Sequence, residues 1–173
     1  MKYETTREIE YRIANYYGFR QNLIVPNVSW GLLNHEADLL ILSKNNYLTE
    51  VEIKISKSDL IADLKKKHQH KSNIIKYLYF AIPEKLKEYI NYIPEQAGIY
   101  IIEQNGKVTK LRNAKENINI RKLKEGEKYN IARLGTMRIW NLVEDLLISK
   151  NSYKYLLEQY NILKENNNGT KNS

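Results

Sequence analysis

Residues 35–68 read HEADLLILSKNNYLTEVEIKISKSDLIADLKKKH, and this stretch decides the architecture. At its centre Tyr47–Ile55 alternates, with Val51, Ile53 and Ile55 on one face and Glu50, Glu52 and Lys54 on the other. A period of two marks a strand with unlike faces. Ahead of it, Ala37–Leu42 is a short apolar strand broken by one acid, Asp38. Asn45-Asn46 suits the tight turn between the two strands, because Asn tolerates positive φ. Behind it, Ser56-x-x-Asp59 caps a helix expected to turn Leu60, Ile61 and Leu64 inward and Lys65, Lys66 and Lys67 largely outward.

Outward from this block the elements follow in order. Thr5-x-x-Glu8 is a capping box that opens a helix with Ile9, Ile13 and Tyr16/Tyr17 at helical spacing, and Gly18 stops it. Leu23–Val28 reads as a strand, and Pro26 makes it an edge strand. Tyr77–Ile82 is a continuous apolar run that suits a central strand buried on both faces, ended by Pro83, and 83–92 looks helical. Ile99–Glu103 and Lys107–Leu111 flank Asn105-Gly106, the strongest short hairpin signal. A polar stretch over 113–130 is expected to be a loop or arm. Helices over 130–148 and 153–163 are expected to pack on the core, and 166–173 to fray. The expected organisation is an α/β core over 1–112 including the hairpin 99–111, then the loop or arm, then C-terminal helices over 131–165.

The composition bounds the function. The chain has 173 residues and no cysteine, which excludes disulfides and thiolate metal sites and fits a reducing, cytoplasmic setting. The longest apolar run, near Ile74–Ile82, is far short of the roughly 20 residues that cross a bilayer, so no membrane partner is expected. The start, MKYETTREIEYR, is polar and reads as no signal peptide. The net charge is +8, unevenly spread. Residues 1–56 are slightly acidic, whereas 57–87 carry 8 basic residues against 3 acidic and 105–138 carry 10 against 3. Two basic segments around an acidic one suggest a polyanionic partner.

The chemistry should lie on Asp38, Glu52 and Lys54. Residues i and i+2 of a strand share a face, so Glu52 and Lys54 converge, and the adjacent strand brings Asp38 alongside. Two carboxylates with the backbone carbonyl of Ile53 make a hard, all-oxygen site that suits Mg²⁺ or Mn²⁺. A lysine beside it eases hydroxide formation or stabilises charge on a phosphate. In its α-β-β-β-α-β order, with Asp38 on the second strand and Glu52-Ile53-Lys54 on the third, the chain resembles the PD-(D/E)XK nuclease superfamily, of restriction-endonuclease-like fold. The resemblance covers roughly residues 5–82, and Ala37 stands where the motif name has proline. It implies a mixed sheet flanked by helices and metal-dependent hydrolysis of DNA phosphodiesters, in repair, recombination or mobile-element metabolism. Asp38 and Glu52 would bind the metal, Lys54 would position or activate water, and Glu10 would join from the first helix. Glu50 shares the face of Glu52, so it is either the motif carboxylate in a shifted register, an outer acceptor, or a solvated strand end.

His35 lies three residues before Asp38, within reach of a phosphate or a metal-bound water. His68-Gln69-His70 is a weak zinc signal and reads as DNA contact or surface. For a nucleic-acid backbone, the capped start of the second helix offers free N–H groups with Ser56 and Ser58, and Lys57, Lys66, Lys67 and Lys71 lie beyond. Arg112, Arg121, Lys122 and Lys124 make a second basic stretch, either a DNA-clamping arm or a soluble loop. Trp30 reads as core. Two rival functions stay open: a non-catalytic DNA-binding module of the same fold, and an interaction protein whose C-terminal helices mediate assembly, for instance as a homodimer.

Overall fold

The alternation of Leu48–Ile53 sets the layers. This segment is strand β3 of a six-stranded mixed sheet in the computed structural model, which describes residues 5–29, 31–66, 70 and 72–169. The other strands are β1 (Leu23–Val28), β2 (Ala37–Leu42), β4 (Ile75–Pro83), β5 (Gly98–Ile102) and β6 (Val108–Arg112), and they lie in chain order. The central pairs β3/β4 and β4/β5 are parallel, and the outer pairs are antiparallel. The parallel steps need crossovers. Helix α2 (Lys57–Leu64) makes the first, and a 3₁₀ segment, Glu84–Tyr92, lies in the second. Pro26 falls on the edge strand β1, as its missing N–H requires.

Helix α1 (Thr6–Tyr17) is built from local signals. The Thr5 side chain accepts from the Glu8 N–H and the Glu8 carboxylate accepts from the Thr5 N–H, which closes the capping box. Gly18, at φ 75°, adopts the left-handed conformation that ends the helix. Its stripe, Ile9 and Ile13, is fully buried against Leu39, Ile41, Val51, Ile53, Tyr79, Ala81, Tyr100 and Ile102, which form one face of the sheet. Tyr79 and Tyr100 stack at 4.6 Å, and Tyr100 shares a hydrogen bond with Tyr17.

The opposite face is covered in two parts. Val25, Leu40, Leu42, Leu48, Ile75, Leu123 and Ile131 form one cluster; Leu60, Phe80, Ile82, Leu86, Ile99 and Ile101 form the other. On this face β3 presents Glu50 and Glu52, with Leu40 across on β2 and Leu78 and Phe80 across on β4. Its charges therefore lie in the seam between two apolar clusters.

The 98–112 hairpin belongs to the sheet, as expected of a core over 1–112: β5 pairs with β4. Other expectations change. Of the loop or arm expected over 113–130, the loop is what the structure has at 113–124, tied to the core. The N–H groups of Lys115, Asn117 and Arg121 donate to the carbonyls of Gln96, Lys76 and Asn73, and the Asn117 amide donates to Ser72 and Ile75. In α2 Leu60 is buried as expected, but Asp63 is buried and Leu64 is 52% exposed, because Asp63 meets buried cationic partners. The two C-terminal helices are one, α3 (Glu125–Gly169). Ser149, Asn151 and Ser152 are weak helix formers but not breakers, and the Ser152 hydroxyl bonds back to the Ile148 carbonyl.

The chain divides into two compact units, 1–135 and 136–173. In the first, Ile131 is buried and Leu134 packs beside it. In the second, Ile139, Leu142, Val143 and Leu146 are exposed. An apolar period shows that a helix has a face, not what covers it. No helix among the described residues is long and apolar enough to cross a membrane.

Candidate functional site

Strand β3 places Glu50, Glu52 and Lys54 on one face, and they are 0%, 1% and 6% exposed. They are not the ends of a solvated strand. The β2/β3 register, Leu39 to Val51, sets Asp38 opposite Glu52. One Asp38 oxygen accepts the Ile53 N–H at 2.7 Å. The N–H and C=O of one strand residue point to the same side, so the Ile53 carbonyl is directed toward Asp38 as well. Lys54 Nζ lies 2.6 Å from Glu52 Oε2, 3.4 Å from Asp63 Oδ1 and 3.6 Å from Asp38 Oδ2. The three residues singled out from the sequence are thus brought together.

Helix α2 and the segment after it add members the sequence did not reveal. Lys66, expected outside, lies 2.8 Å from Asp63 Oδ1 and 3.6 Å from Glu52 Oε2. His70 donates from Nε2 to Asp63 at 2.9 Å and from Nδ1 to Glu50 at 2.9 Å. His35 approaches the same Glu50 oxygen through Nε2 at 2.7 Å. No local signal marks Asp63 or His70, because their partners are on β3. Their only trace is the excess of acids and imidazoles within 35–70.

The electrostatics follow from burial opposed by pairing. Burial pulls the His70 pKa down, but its bonds to Asp63 and Glu50 and the charge of Glu52 outweigh this and lift it to about 9. Burial likewise opposes a charged Lys54, yet Glu52 and Asp38 hold it above the ordinary lysine range. Burial pushes Asp63 up, and His70, Lys66 and Lys54 bring it well below the usual carboxylate range. Burial also pushes Glu50 up, and His35 and His70 bring it below. Glu52 differs: burial raises it, Lys54 only partly offsets that, and Asp38 adds to the rise. Glu10, on α1, is raised by burial and also by the Asp38 charge, against the pull of Arg7, so it feels the site. Four carboxylates here face two lysines and two imidazoles. Among the described residues, Glu50 Oε2 and Glu52 Oε1 are buried without a hydrogen-bond partner. Such atoms cost free energy and mark a place for a missing positive group.

No family model and no curated protein matches the chain. One solved structure does. It is a protein of unknown function from Silicibacter pomeroyi, 15% identical, with a TM-score of 0.61 over 84% of this chain and 93% of that one. The likeness shows a shared fold and carries no activity.

The remaining sequence candidates fall in several places. Ser56 caps α2 by accepting the Asp59 N–H, and its hydroxyl meets that of Ser58 at 2.8 Å. Lys57 is exposed, with Nζ 4.5 Å from the Tyr89 ring centre. Arg112 is committed to the carbonyls of Ala97 and Pro94, and Arg121 pairs with Glu127. Lys122 and Lys124 are exposed. Lys67, His68, Lys71 and Trp30 lie outside the described residues. A cavity of about 570 Å³ is lined by His70, Leu78, Lys76, Gln96, Lys115 and Asn117 among others, so His70 belongs to both the charged cluster and an open groove.

Proposed function

We propose that this chain is a divalent-cation-dependent nuclease that hydrolyses DNA phosphodiesters. The observation that carries this reading is the convergence of Asp38, Glu52 and Lys54, with Glu52 Oε1 buried and, among the described residues, without a hydrogen-bond partner. The reading draws further support from the resemblance of this residue set to the PD-(D/E)XK superfamily. The donor set fits Mg²⁺ or Mn²⁺: it is all oxygen, and the raised Glu52 pKa reports a carboxylate short of positive charge. Asp38, Glu52 and the Ile53 carbonyl would hold the ion, which supplies an acidified water and neutralises charge on the phosphate.

The chain's own residues do the rest. Lys54 is held as an ammonium, so it is a hydrogen-bond donor and not a base. From 2.6 Å it fixes Glu52, and it is placed to orient the attacking water and stabilise charge developing on the phosphate. Glu10, its pKa raised by burial and by the Asp38 charge, is a candidate for proton exchange. The α2 start, with exposed Lys57 and Ser58, follows directly on Lys54 and offers N–H groups to an adjacent phosphate. Arg112 and Arg121 are engaged within the chain, so phosphate contacts fall to Lys57 and Lys122.

The test is cleavage of single-stranded, duplex and branched DNA with Mg²⁺ or Mn²⁺, with folding checked by circular dichroism. Asp38→Asn and Lys54→Met should each lower the rate at least about 10²-fold. A folded wild type that cuts none of these substrates, or an Asp38→Asn variant that cuts equally well, overturns the proposal. Salt-sensitive DNA binding without cleavage would leave the non-catalytic module in its place.

A further inference from the structure

We infer that His35, Glu50 and His70 form a second cation site, for a zinc-class transition ion, distinct from the Asp38/Glu52 oxygen site. The inner nitrogens of both rings, His35 Nε2 and His70 Nδ1, point at one oxygen of Glu50, at 2.7 and 2.9 Å. One ligand atom from each of the three residues lies within 4.8 Å of the other two, the spacing a single ion can bridge. The rings stand nearly perpendicular, with centres 5.1 Å apart, so their lone-pair directions converge without stacking.

The outer nitrogens are equally informative. His70 Nε2 is 2.9 Å from Asp63 Oδ2, and His35 Nδ1 is 2.9 Å from Asn34 Oδ1. Each ring is thus clamped from behind by an oxygen that accepts an N–H. This is the arrangement that orients metal-binding imidazoles: an N–H donated to a carboxylate or amide oxygen fixes the tautomer and turns the other nitrogen toward the ion. A carboxylate oxygen only accepts, so a ring nitrogen that donates to Glu50 gives up its hydrogen to solvent as the ion enters. The second observation is Glu50 itself. It is 0% exposed, and its Oε2 has no partner among the described residues. Two imidazoles and one carboxylate, with a fourth position open, are the ligands of catalytic zinc sites. Nitrogen donors select Zn²⁺ over Mg²⁺, which favours the neighbouring oxygen site. Bound there, the ion would tie the loops carrying residues 34–35 and 70 to β3.

The experiment uses the full chain after chelator treatment, with Co²⁺ as the spectroscopic probe and Zn²⁺ as competitor. We expect one equivalent of Co²⁺ with the visible absorption of a tetrahedral site, displaced by Zn²⁺. Asp38→Asn should keep this signal while losing Mg²⁺-dependent cleavage. His35→Gln should lose the signal, and Asn34→Ala, which removes only the outer clamp, should weaken binding about 10–100-fold. Absence of the tetrahedral bands, their persistence in His35→Gln, or their loss in Asp38→Asn overturns the inference. A chain that binds Co²⁺ in this way but cuts no DNA would refute the nuclease reading and leave the second site standing.

Discussion

Replacing Lys54 by methionine tests whether the charged face of β3 is a buried network. The change keeps most of the side-chain volume and removes the ammonium. Glu52, 1% exposed, then loses the cation 2.6 Å away. Both partners are under a tenth exposed, so solvent screening calls for little discount. Breaking a buried pair from one side costs about 3–5 kcal/mol. Lys66, 3.6 Å from Glu52, remains to compensate in part, which places the expected loss near the lower end, about 3 kcal/mol. For a compact unit spanning 1–135 that is a fall in Tm of about 10 °C or somewhat more. Urea unfolding followed by far-ultraviolet circular dichroism measures it, with an unchanged m-value as the sign that only stability moved.

The loss should depend on pH. Burial already raises the Glu52 pKa, and without Lys54 it rises further. A carboxyl whose folded pKa lies above its unfolded one loses stability as pH climbs between the two. The deficit of the variant is therefore larger at pH 8 than at pH 5. The double variant Glu52→Gln/Lys54→Met removes both charges and should recover most of the loss. A cost under about 1 kcal/mol, or one independent of pH, would refute the reasoning, because it is what a solvent-exposed pair shows.

Two further outcomes follow. His70 should titrate near pH 9 by NMR: its folded pKa is raised, so its contribution is full below about 6.5 and is lost as pH rises through about 9. A midpoint near the ordinary histidine value would show that Asp63 and Glu50 do not clamp it. Gly98→Ala should destabilise by about 1–3 kcal/mol in the same urea assay, since a Cβ there would meet Tyr79 Cε1 at 2.2 Å and the Ala114 backbone nitrogen at 2.7 Å; an unchanged midpoint would mean the β4/β5 face has slack.

Much of the secondary structure was legible because its signals are local. The Thr5/Glu8 box, Gly18, the Ser56 cap and the alternation of β3 each act within a few residues, and each appears at its expected place. Asn46 at φ 61° and Gly106 at φ 86° make the two expected turns. The reading failed where the deciding contact is distant. Asp63 carries no local signal, and His70 reads only as DNA contact or surface, because their partners, Lys54 and Glu50, are set by the sheet. Arg112 and Arg121, which the sequence leaves open between a DNA-clamping arm and a loop, are engaged by the carbonyls of Ala97 and Pro94 and by the carboxylate of Glu127.

The sequence by itself determined that Glu50, Glu52 and Lys54 share a face with Asp38 across a hairpin, because a strand repeats every two residues and the Asn-Asn turn limits the register. Only the tertiary structure decided that this face is buried. That outcome depends on α2 and the 3₁₀ segment closing over β4 and β5, and on the first turns of α3 closing over β1 and β2. Burial lowers the local dielectric, and this turns a row of charges into a network of perturbed carboxylates, an ammonium and an imidazolium. The same closure delivers His35 and His70 to Glu50, and Asp63 to His70 and Lys54, encounters that no periodicity in the chain encodes.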